Sequence, residues 1–279
     1  MKSSSTLTRA VRTKTQVKPR DRYVTVMGVR TRYVEDGVEH TGTPLIVVHG
    51  YNGSCDYWYP LFLPSLAQER RVIALDLPGN GLSGKLPTHT IESYVEFLAA
   101  FLDVLGIAQT DLMGHSMGGM LAIAMAARHP ERVRRLVLVD SAGLPELAGP
   151  HWQVPLRAVT DSSMRQWKLY PTFVKIGLRA RTAREGLNLI RNYSVRRDLW
   201  NVRAQTLVLW GSRDRLVPVE HGAFMARHIR GARLAVVRGA GHMPFYESPE
   251  ECTRIVLGFL RGETSQGRQD GNSDVEQEP

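Results

Sequence analysis

The chain has 279 residues, 43% of them hydrophobic, which suits one large α/β domain with an insertion or two small domains. No stretch approaches the roughly 20 apolar residues of a transmembrane helix, and residues 1–20 lack the apolar run of a secretory signal. The net charge of +9 comes mainly from two segments: six Lys or Arg lie in residues 1–20, and ten lie in residues 144–199. We expect Cys55 and Cys252 to be free thiols of a reducing, cytoplasmic compartment.

Strands and helices are predicted to alternate along most of the chain. Short apolar runs predict strands at residues 23–26, 29–34, 44–48, 71–75, 110–113, 135–140, 206–210 and 233–237. Helical patterns fall between them or after them, at residues 56–68, 91–105, 120–127, 219–230 and 249–260. The first two strands, around Gly28, are expected to form an antiparallel hairpin, with Asp36-Gly37 as a turn signal. The alternation that follows predicts an α/β fold with a mostly parallel central sheet and helices on both faces.

One segment interrupts this alternation. Residues 144–199 are helical and aromatic and fall between two strands of the predicted sheet. Because ligands bind outside the carboxyl ends of such strands, we predict that this insertion is a helical cap above the site. Its aromatic residues Trp152, Trp167 and Phe173 are candidates for the lining of an apolar substrate pocket, although some of them serve only to fasten the cap.

The predicted organisation has four parts. Residues 1–20 are expected to be a disordered basic arm, and residues 262–279 a disordered acidic tail with almost no apolar side chains. The core comprises residues 21–143 and 200–261, and the cap is residues 144–199. The basic segments can attract an anionic membrane surface or nucleic acid, but no nucleic-acid motif accompanies them, and a solvated helix face is the commoner reason for such charge.

The turn Gly114-His115-Ser116-Met117-Gly118 fits the G-x-S-x-G pattern of a nucleophile elbow. It lies between a predicted strand and a predicted helix, which is the context that the pattern requires. The small residues on both sides of Ser116 are typical of a tight, strained turn that exposes the serine hydroxyl. Ser116 is therefore the candidate nucleophile, and His115 is expected to be a packing or hydrogen-bonding residue of the turn.

Further polar residues follow later strands in the order Ser, Asp, His. The sequence resembles the α/β-hydrolase superfamily, in its serine-nucleophile esterase and lipase-like branch, over about residues 22–261. The matching segments are His49-Gly50-Tyr51, Asp76-Leu77-Pro78-Gly79-Asn80-Gly81, Gly114-His115-Ser116-Met117-Gly118-Gly119, Trp210-Gly211-Ser212-Arg213-Asp214 and Gly241-His242-Met243-Pro244 with Glu247 and Pro249.

The resemblance implies a catalytic triad. His242 would accept the proton of Ser116 during attack and return it to the leaving group, and Asp214 would orient the imidazole. It also implies that the backbone N–H groups of Tyr51 and Met117 form the oxyanion hole. Asp140 is an alternative triad acid, because some relatives carry the acid after the strand that follows the elbow.

The predicted reaction is carboxylic-ester hydrolysis through an acyl-serine, with a small-molecule substrate and with no metal or organic cofactor. A serine nucleophile argues against epoxide opening and halide removal, which relatives perform with an aspartate. Carbon–carbon bond hydrolysis of ring-fission products, lactone or thioester hydrolysis and perhydrolysis share the triad and stay open. A non-catalytic ligand-binding role and a membrane-surface role are further alternatives, and the sequence leaves the oligomeric state open.

Overall fold

The computed structural model describes residues 19–59, 62–147 and 180–263. The strands are β1 (Arg22–Val26), β2 (Val29–Asp36), β3 (Leu45–Val48), β4 (Val72–Leu75), β5 (Thr110–His115), β6 (Val133–Val139), β7 (Gln205–Gly211) and β8 (Arg233–Val237). The α-helices are α1 (Leu63–Ala67), α2 (Ile91–Val104), α3 (Met117–Arg128), α4 (Ala180–Asn192), α5 (Val219–His228), α6 (Pro244–Glu247) and α7 (Pro249–Arg261). Short 3-10 helices lie at Cys55–Trp58, Pro145–Leu147 and Val195–Asn201.

The eight strands form one sheet in the order β1-β2-β4-β3-β5-β6-β7-β8. The pairs β1–β2 and β2–β4 are antiparallel, and all later pairs are parallel. The predicted α/β fold is therefore confirmed. Because β3 and β5 to β8 run in the same direction, their carboxyl ends meet at one edge of the sheet.

Two hydrophobic clusters cover the two faces of the sheet. Buried side chains of α2, α3 and α5 pack on one face, and those of α1 and α7 pack on the other. The helix α2 begins where the sequence predicts, because Thr90 and Ser93 form a capping box at its first turn. The sheet thus has a helical layer on each face. The edge where the carboxyl ends of the strands meet is not covered by these layers and is the expected place of the site.

Of two local predictions, the hairpin is confirmed and one helix needs correction. The strands β1 and β2 pair antiparallel around the turn Met27-Gly28, and both turn residues have positive φ, 48° and 77°, as a type I′ turn requires. The turn signal Asp36-Gly37 lies at the end of β2. The predicted helix 56–68 is divided into the 3-10 helix Cys55–Trp58 and the short helix α1. Both cysteines are free, as expected, and both are buried.

A buried ion cluster joins the hairpin to the loop after β3. The guanidinium of Arg32, only 1% exposed, donates to both carboxylate oxygens of Asp56 at 2.9 and 2.8 Å. It also contacts Asp76 at 3.2 Å and Asp21 at 2.7 Å. Burial alone would lower the pKa of Arg32, but the hydrogen bonds that it donates to Asp56 and Asp21 outweigh this effect and raise the pKa above its usual value. Asp76 also accepts the Cys55 N–H at 2.7 Å, so its role is structural.

Several predicted regions lie outside the described residues. These are residues 1–18 of the basic arm, residues 148–179 of the cap and residues 264–279 of the acidic tail. The described end of the cap segment, residues 180–199, forms α4 and a 3-10 helix, which agrees with its predicted helical character. Among the helices that the structure describes, none has the length and apolar character needed to cross a membrane.

Candidate active site

Ser116 lies in a strained turn between β5 and α3. Its φ of 53° and ψ of −118° fall in a region that residues with a side chain rarely adopt. A Cβ at Gly114 would lie 2.3 Å from the carbonyl oxygen of Gly118, and a Cβ at Gly118 would lie 2.3 Å from that of Val48. The two glycines of the motif are therefore required by close backbone contacts on both sides of the serine.

The structure brings Ser116, His242 and Asp214 together, although they are far apart in sequence. The Nε2 atom of His242 is 3.1 Å from the Ser116 hydroxyl, and its Nδ1 atom is 2.7 Å from Oδ2 of Asp214. Because a carboxylate only accepts hydrogen bonds, Nδ1 carries the proton, and Nε2 is left to accept the serine proton. All three residues are buried. This arrangement can activate a serine hydroxyl for attack.

Backbone contacts hold the two partners of Ser116 in place. The Oδ1 atom of Asp214 accepts the N–H groups of Leu216 at 2.8 Å and Val217 at 2.9 Å. The Gly241 N–H, next to His242, donates to Glu247 at 2.8 Å. These bonds hold the Asp214 carboxylate and the backbone next to His242 in place.

Asp140, the alternative triad acid, follows β6 but points to another partner. Its Oδ1 atom accepts the Gly211 N–H at 2.9 Å. Asp140, Asp214 and His242 also form the one group in the described parts of the chain with three potential metal-ligand atoms within 4.8 Å of one another. The direct 2.7 Å contact of His242 with Asp214 has hydrogen-bond length, so the geometry favours Asp214 as the acid and a proton between these two groups.

The two predicted oxyanion donors belong to segments next to Ser116. Met117 is the first residue of α3, so its N–H has no partner within the helix. Tyr51 lies in the oxyanion loop, which we define as residues 49–53, and a Cβ at Gly50 would lie 3.1 Å from Cβ of Ser116. This loop therefore passes directly beside the nucleophile.

His49 holds the oxyanion loop. Its Nε2 atom accepts the Leu77 N–H at 3.0 Å, so its Nδ1 proton donates to the Gly50 carbonyl at 2.8 Å. Burial lowers the pKa of His49, which keeps the ring neutral. Since the peptide is planar, fixing the Gly50 carbonyl also fixes the direction of the Tyr51 N–H.

Helix α4, at the end of the predicted cap segment, lies against the oxyanion loop. Gly186 is buried there, and a Cβ on it would lie 3.2 Å from the Tyr51 ring and 3.6 Å from the sulfur of Met117. Glu185 contacts His89 at 3.3 Å, which connects α4 to the start of α2. The three aromatic pocket candidates of the cap, Trp152, Trp167 and Phe173, lie outside the described residues.

A separate cavity of about 320 Å³ opens between α4 and the start of α2. Its lining comprises His89, Thr90, Ile91, Glu92, Glu185, Asn188, Leu189, Asn192 and Tyr193. None of Ser116, Asp214 and His242 lines it, so it is distinct from the place where these three residues meet.

Sequence reasoning missed one residue that contacts the site. The hydroxyl of Tyr57 accepts the Gly50 N–H and contacts the ring of His115. His115 was singled out in the sequence as a packing or hydrogen-bonding residue, but no motif pointed to Tyr57. The only local signal is its aromatic neighbourhood, which is equally typical of a core.

Comparison with known proteins identifies the family of this chain. A family model described as alpha/beta hydrolase fold matches residues 43–177, and a model described as TAP-like protein matches residues 190–270. A relative from Pseudomonas putida, a 2-hydroxymuconate semialdehyde hydrolase, is 32% identical over 86% of this chain and 93% of its own. The chain belongs to the α/β-hydrolase superfamily. The alpha/beta hydrolase model and the relatives named as hydrolases and esterases show that it is a hydrolase.

Other relatives of this α/β-hydrolase carry different activities. The dihydrolipoyllysine-residue acetyltransferase component of an acetoin cleaving system from Pseudomonas putida is 36% identical over 85% of this chain and 68% of its own. A pimeloyl-[acyl-carrier protein] methyl ester esterase from Neisseria meningitidis is 27% identical over 77% of this chain and 93% of its own. Among solved structures, the enol-lactonase from Burkholderia xenovorans LB400 matches with a TM-score of 0.72 and 25% identity, over 86% of this chain and 100% of its own. The α/β-hydrolase scaffold is thus common to all, and the substrate is not.

Proposed function

We propose that this chain is a serine hydrolase that cleaves carboxylic esters through an acyl-enzyme intermediate. The observation that carries the proposal is the position of His242 between Ser116 at 3.1 Å and Asp214 at 2.7 Å. Hydrogen-bond distance on both sides of the imidazole is what a nucleophile, a base and an orienting acid need.

The proposed acylation begins when Ser116 attacks the ester carbonyl and His242 accepts the hydroxyl proton. The carbonyl oxygen becomes an anion, which the N–H groups of Tyr51 and Met117 stabilise. As the carbon–oxygen bond to the alcohol breaks, His242 donates its proton to the leaving alkoxide. The acyl group then remains on Ser116 as an ester.

Deacylation repeats these steps with water. His242 takes a proton from water, which attacks the acyl-serine, and the proton is then donated to the Ser116 oxygen as the carboxylic acid leaves. Asp214 stabilises the imidazolium that forms in each step. All groups in this sequence are supplied by the described residues. The 27% identical methyl ester esterase supports ester cleavage by the same fold.

Carbon–carbon bond hydrolysis of a ring-fission product is the second candidate. It is favoured by the relative named 2-hydroxymuconate semialdehyde hydrolase, at 32% identity. Such relatives often have Asn before the nucleophile, where this chain has His115, and an oxyanion loop rich in Gly and Pro, where this chain has Tyr51 and Asn52. These departures favour the ester. Lactone hydrolysis, the activity named for the enol-lactonase, is ester cleavage in a ring and needs no other residue.

The test is an activity screen of the full chain and of Ser116→Ala. The substrates are p-nitrophenyl acetate, butyrate and octanoate, a lactone and a ring-fission dienone. We expect the wild type to turn over esters, and Ser116→Ala to lose this activity while keeping its circular dichroism spectrum. A fluorophosphonate probe should label Ser116 at one probe per chain. If kcat/KM is higher for the dienone than for every ester, carbon–carbon hydrolysis replaces the proposal, and full activity in Ser116→Ala excludes the mechanism.

A further inference from the structure

Tyr57 and His115 connect the oxyanion loop to the residue that carries the proposed base. The Gly50 N–H is 2.8 Å from the Tyr57 hydroxyl, which in turn lies 2.5 Å from Nδ1 of His115. On the other side of the ring, Nε2 of His115 is 2.8 Å from the carbonyl oxygen of His242. A continuous chain of hydrogen bonds therefore runs from one side of Ser116 to the other.

The donor and the acceptor of each of these hydrogen bonds can be assigned. A carbonyl oxygen only accepts, so Nε2 of His115 donates to His242. Burial lowers the pKa of His115 well below its usual value, so the ring is neutral, and its Nδ1 atom accepts the Tyr57 hydroxyl proton. Burial likewise raises the pKa of Tyr57, which keeps the phenol protonated. The hydroxyl therefore donates to His115 and accepts from Gly50.

These contacts act on the backbone at two places that matter for the chemistry. Gly50 precedes Tyr51, and its N–H is held by Tyr57 while its carbonyl is held by His49. The His242 carbonyl belongs to the residue whose imidazole faces Ser116. Both bridging side chains are 4% exposed, so water has little access to replace either partner.

We infer that Tyr57 and His115 are positioning residues that hold the Tyr51 N–H and the His242 imidazole in fixed relation to Ser116. The inference rests on the proposed serine-hydrolase function. Both residues act through other groups: Tyr57 through the oxyanion loop, and His115 through the backbone of His242. Loss of either contact should misplace a catalytic group while substrate still binds.

The test must remove a hydroxyl without removing a ring. The Tyr57 ring packs against Trp58 and Phe245, with centroids 4.8 and 5.5 Å apart, so a smaller residue would open a cavity. Tyr57→Phe keeps this packing and removes only the oxygen. Tyr59→Phe is the matched control, because the Tyr59 hydroxyl is also hydrogen-bonded, at 2.9 Å to Asp36, but not to the site.

We expect Tyr57→Phe to lower kcat for p-nitrophenyl acetate by about 10- to 100-fold, below the roughly 10²- to 10³-fold loss that follows removal of an oxyanion donor. KM should stay within about 2-fold, since ground-state binding does not use this donor. Rates are expressed per active site titrated with the fluorophosphonate, so that unfolded protein does not lower the measured kcat. Tyr59→Phe should keep the wild-type kcat.

His115 gives a second, independent variant. His115→Gln can still place an N–H near the position of ring Nε2, whereas His115→Leu removes both hydrogen bonds. We expect Leu to lower kcat more than Gln. If the two residues act as one chain, Tyr57→Phe combined with His115→Leu should cost clearly less than the product of the two single losses.

Two failures are distinguishable. If the wild type neither reacts with the fluorophosphonate nor turns over any ester, the proposed function fails, and the inference fails with it. If the wild type is active but Tyr57→Phe matches Tyr59→Phe, or if the losses in the double variant multiply, only the inference is overturned. A rise in KM with kcat unchanged would likewise overturn it.

Discussion

Gly186 of helix α4 packs on the ring of Tyr51, and a side chain at this position would be in tighter than usual contact with the ring. A Cβ at Gly186 would lie 3.2 Å from Cδ2 and 3.3 Å from Cε2 of that ring. Glycine in a helix interior costs about 1 kcal/mol relative to alanine. Glycine at position 186 therefore lowers the helix propensity of α4 but allows the helix to lie close to the oxyanion loop.

This contact predicts that the size of residue 186 affects ester selection. Gly186→Ala should push α4 or Tyr51 outward by a few tenths of an ångström, and it should change the octanoate-to-acetate ratio of kcat/KM by about 10-fold, as one methylene can. Asn188→Ala, at an exposed position on the same helix, is the control. Equal losses on both esters would mean that the contact is structural only.

Substitution of the two candidate acids, Asp214 and Asp140, is expected to lower kcat by different amounts. Asp214→Asn should lower kcat by about 10⁴-fold, by analogy with the serine-protease triad, because the amide no longer fixes the proton on Nδ1 of His242. Asp140→Asn retains an oxygen that can accept the Gly211 N–H and should lose far less. The measurement is kcat on p-nitrophenyl acetate for both variants. The reverse order would assign the acid to Asp140.

Buried neutral histidines predict a loss of stability in acid. Burial lowers the pKa of both His49 and His115 below the usual 6.5. Below pH 6.5 the unfolded chain therefore binds protons that the folded chain does not, and the free energy of unfolding falls as pH decreases. Above pH 6.5 this contribution is fully present.

His115→Gln removes one of these groups. In urea unfolding between pH 7.5 and 5, its free energy of unfolding should fall less steeply than that of the wild type, by up to about 1.4 kcal/mol per pH unit. Parallel pH curves would show that His115 does not resist protonation in the folded chain.

The packing of the elbow predicts that position 118 must be glycine. An alanine Cβ at position 118 would lie 2.3 Å from the Val48 carbonyl oxygen and 2.5 Å from that of His49, and neither backbone atom can move freely. We expect Gly118→Ala to lower the free energy of unfolding by at least about 2 kcal/mol. Gly42→Ala, where a Cβ meets nothing within 4 Å, should change it little. Equal stability of the two variants would contradict the packing described for the elbow.

The fold and the three residues that meet at the site could be predicted because their signals are local. Each of Ser116, Asp214 and His242 follows a strand, and parallel strands bring their carboxyl ends to one edge. Likewise, the capping residue Thr90 fixes the start of α2 within one turn. Signals of this kind need only a few neighbouring residues.

What the sequence did not reveal depends on contacts between distant residues. Tyr57 and His115 are 58 positions apart, and nothing near either one indicates their hydrogen bond. The predicted helix 56–68 failed for a related reason. Asp56 is held by Arg32 on β2, and α1 begins only at Leu63, with Pro64 in its first turn, where proline is tolerated. In both cases the local structure depends on a contact with a residue that is distant in the sequence.

The ion cluster around Arg32 places a limit on how far this enzyme can be shortened. A chain that began at β3 would keep Ser116, His242 and Asp214, yet it would lose the Arg32 guanidinium that Asp56 and the buried Asp76 contact. Asp56 is the immediate neighbour of Tyr57, so the first place to suffer would be the support of the oxyanion loop. We therefore expect the antiparallel hairpin at the sheet edge to belong to the smallest unit that supports the proposed activity.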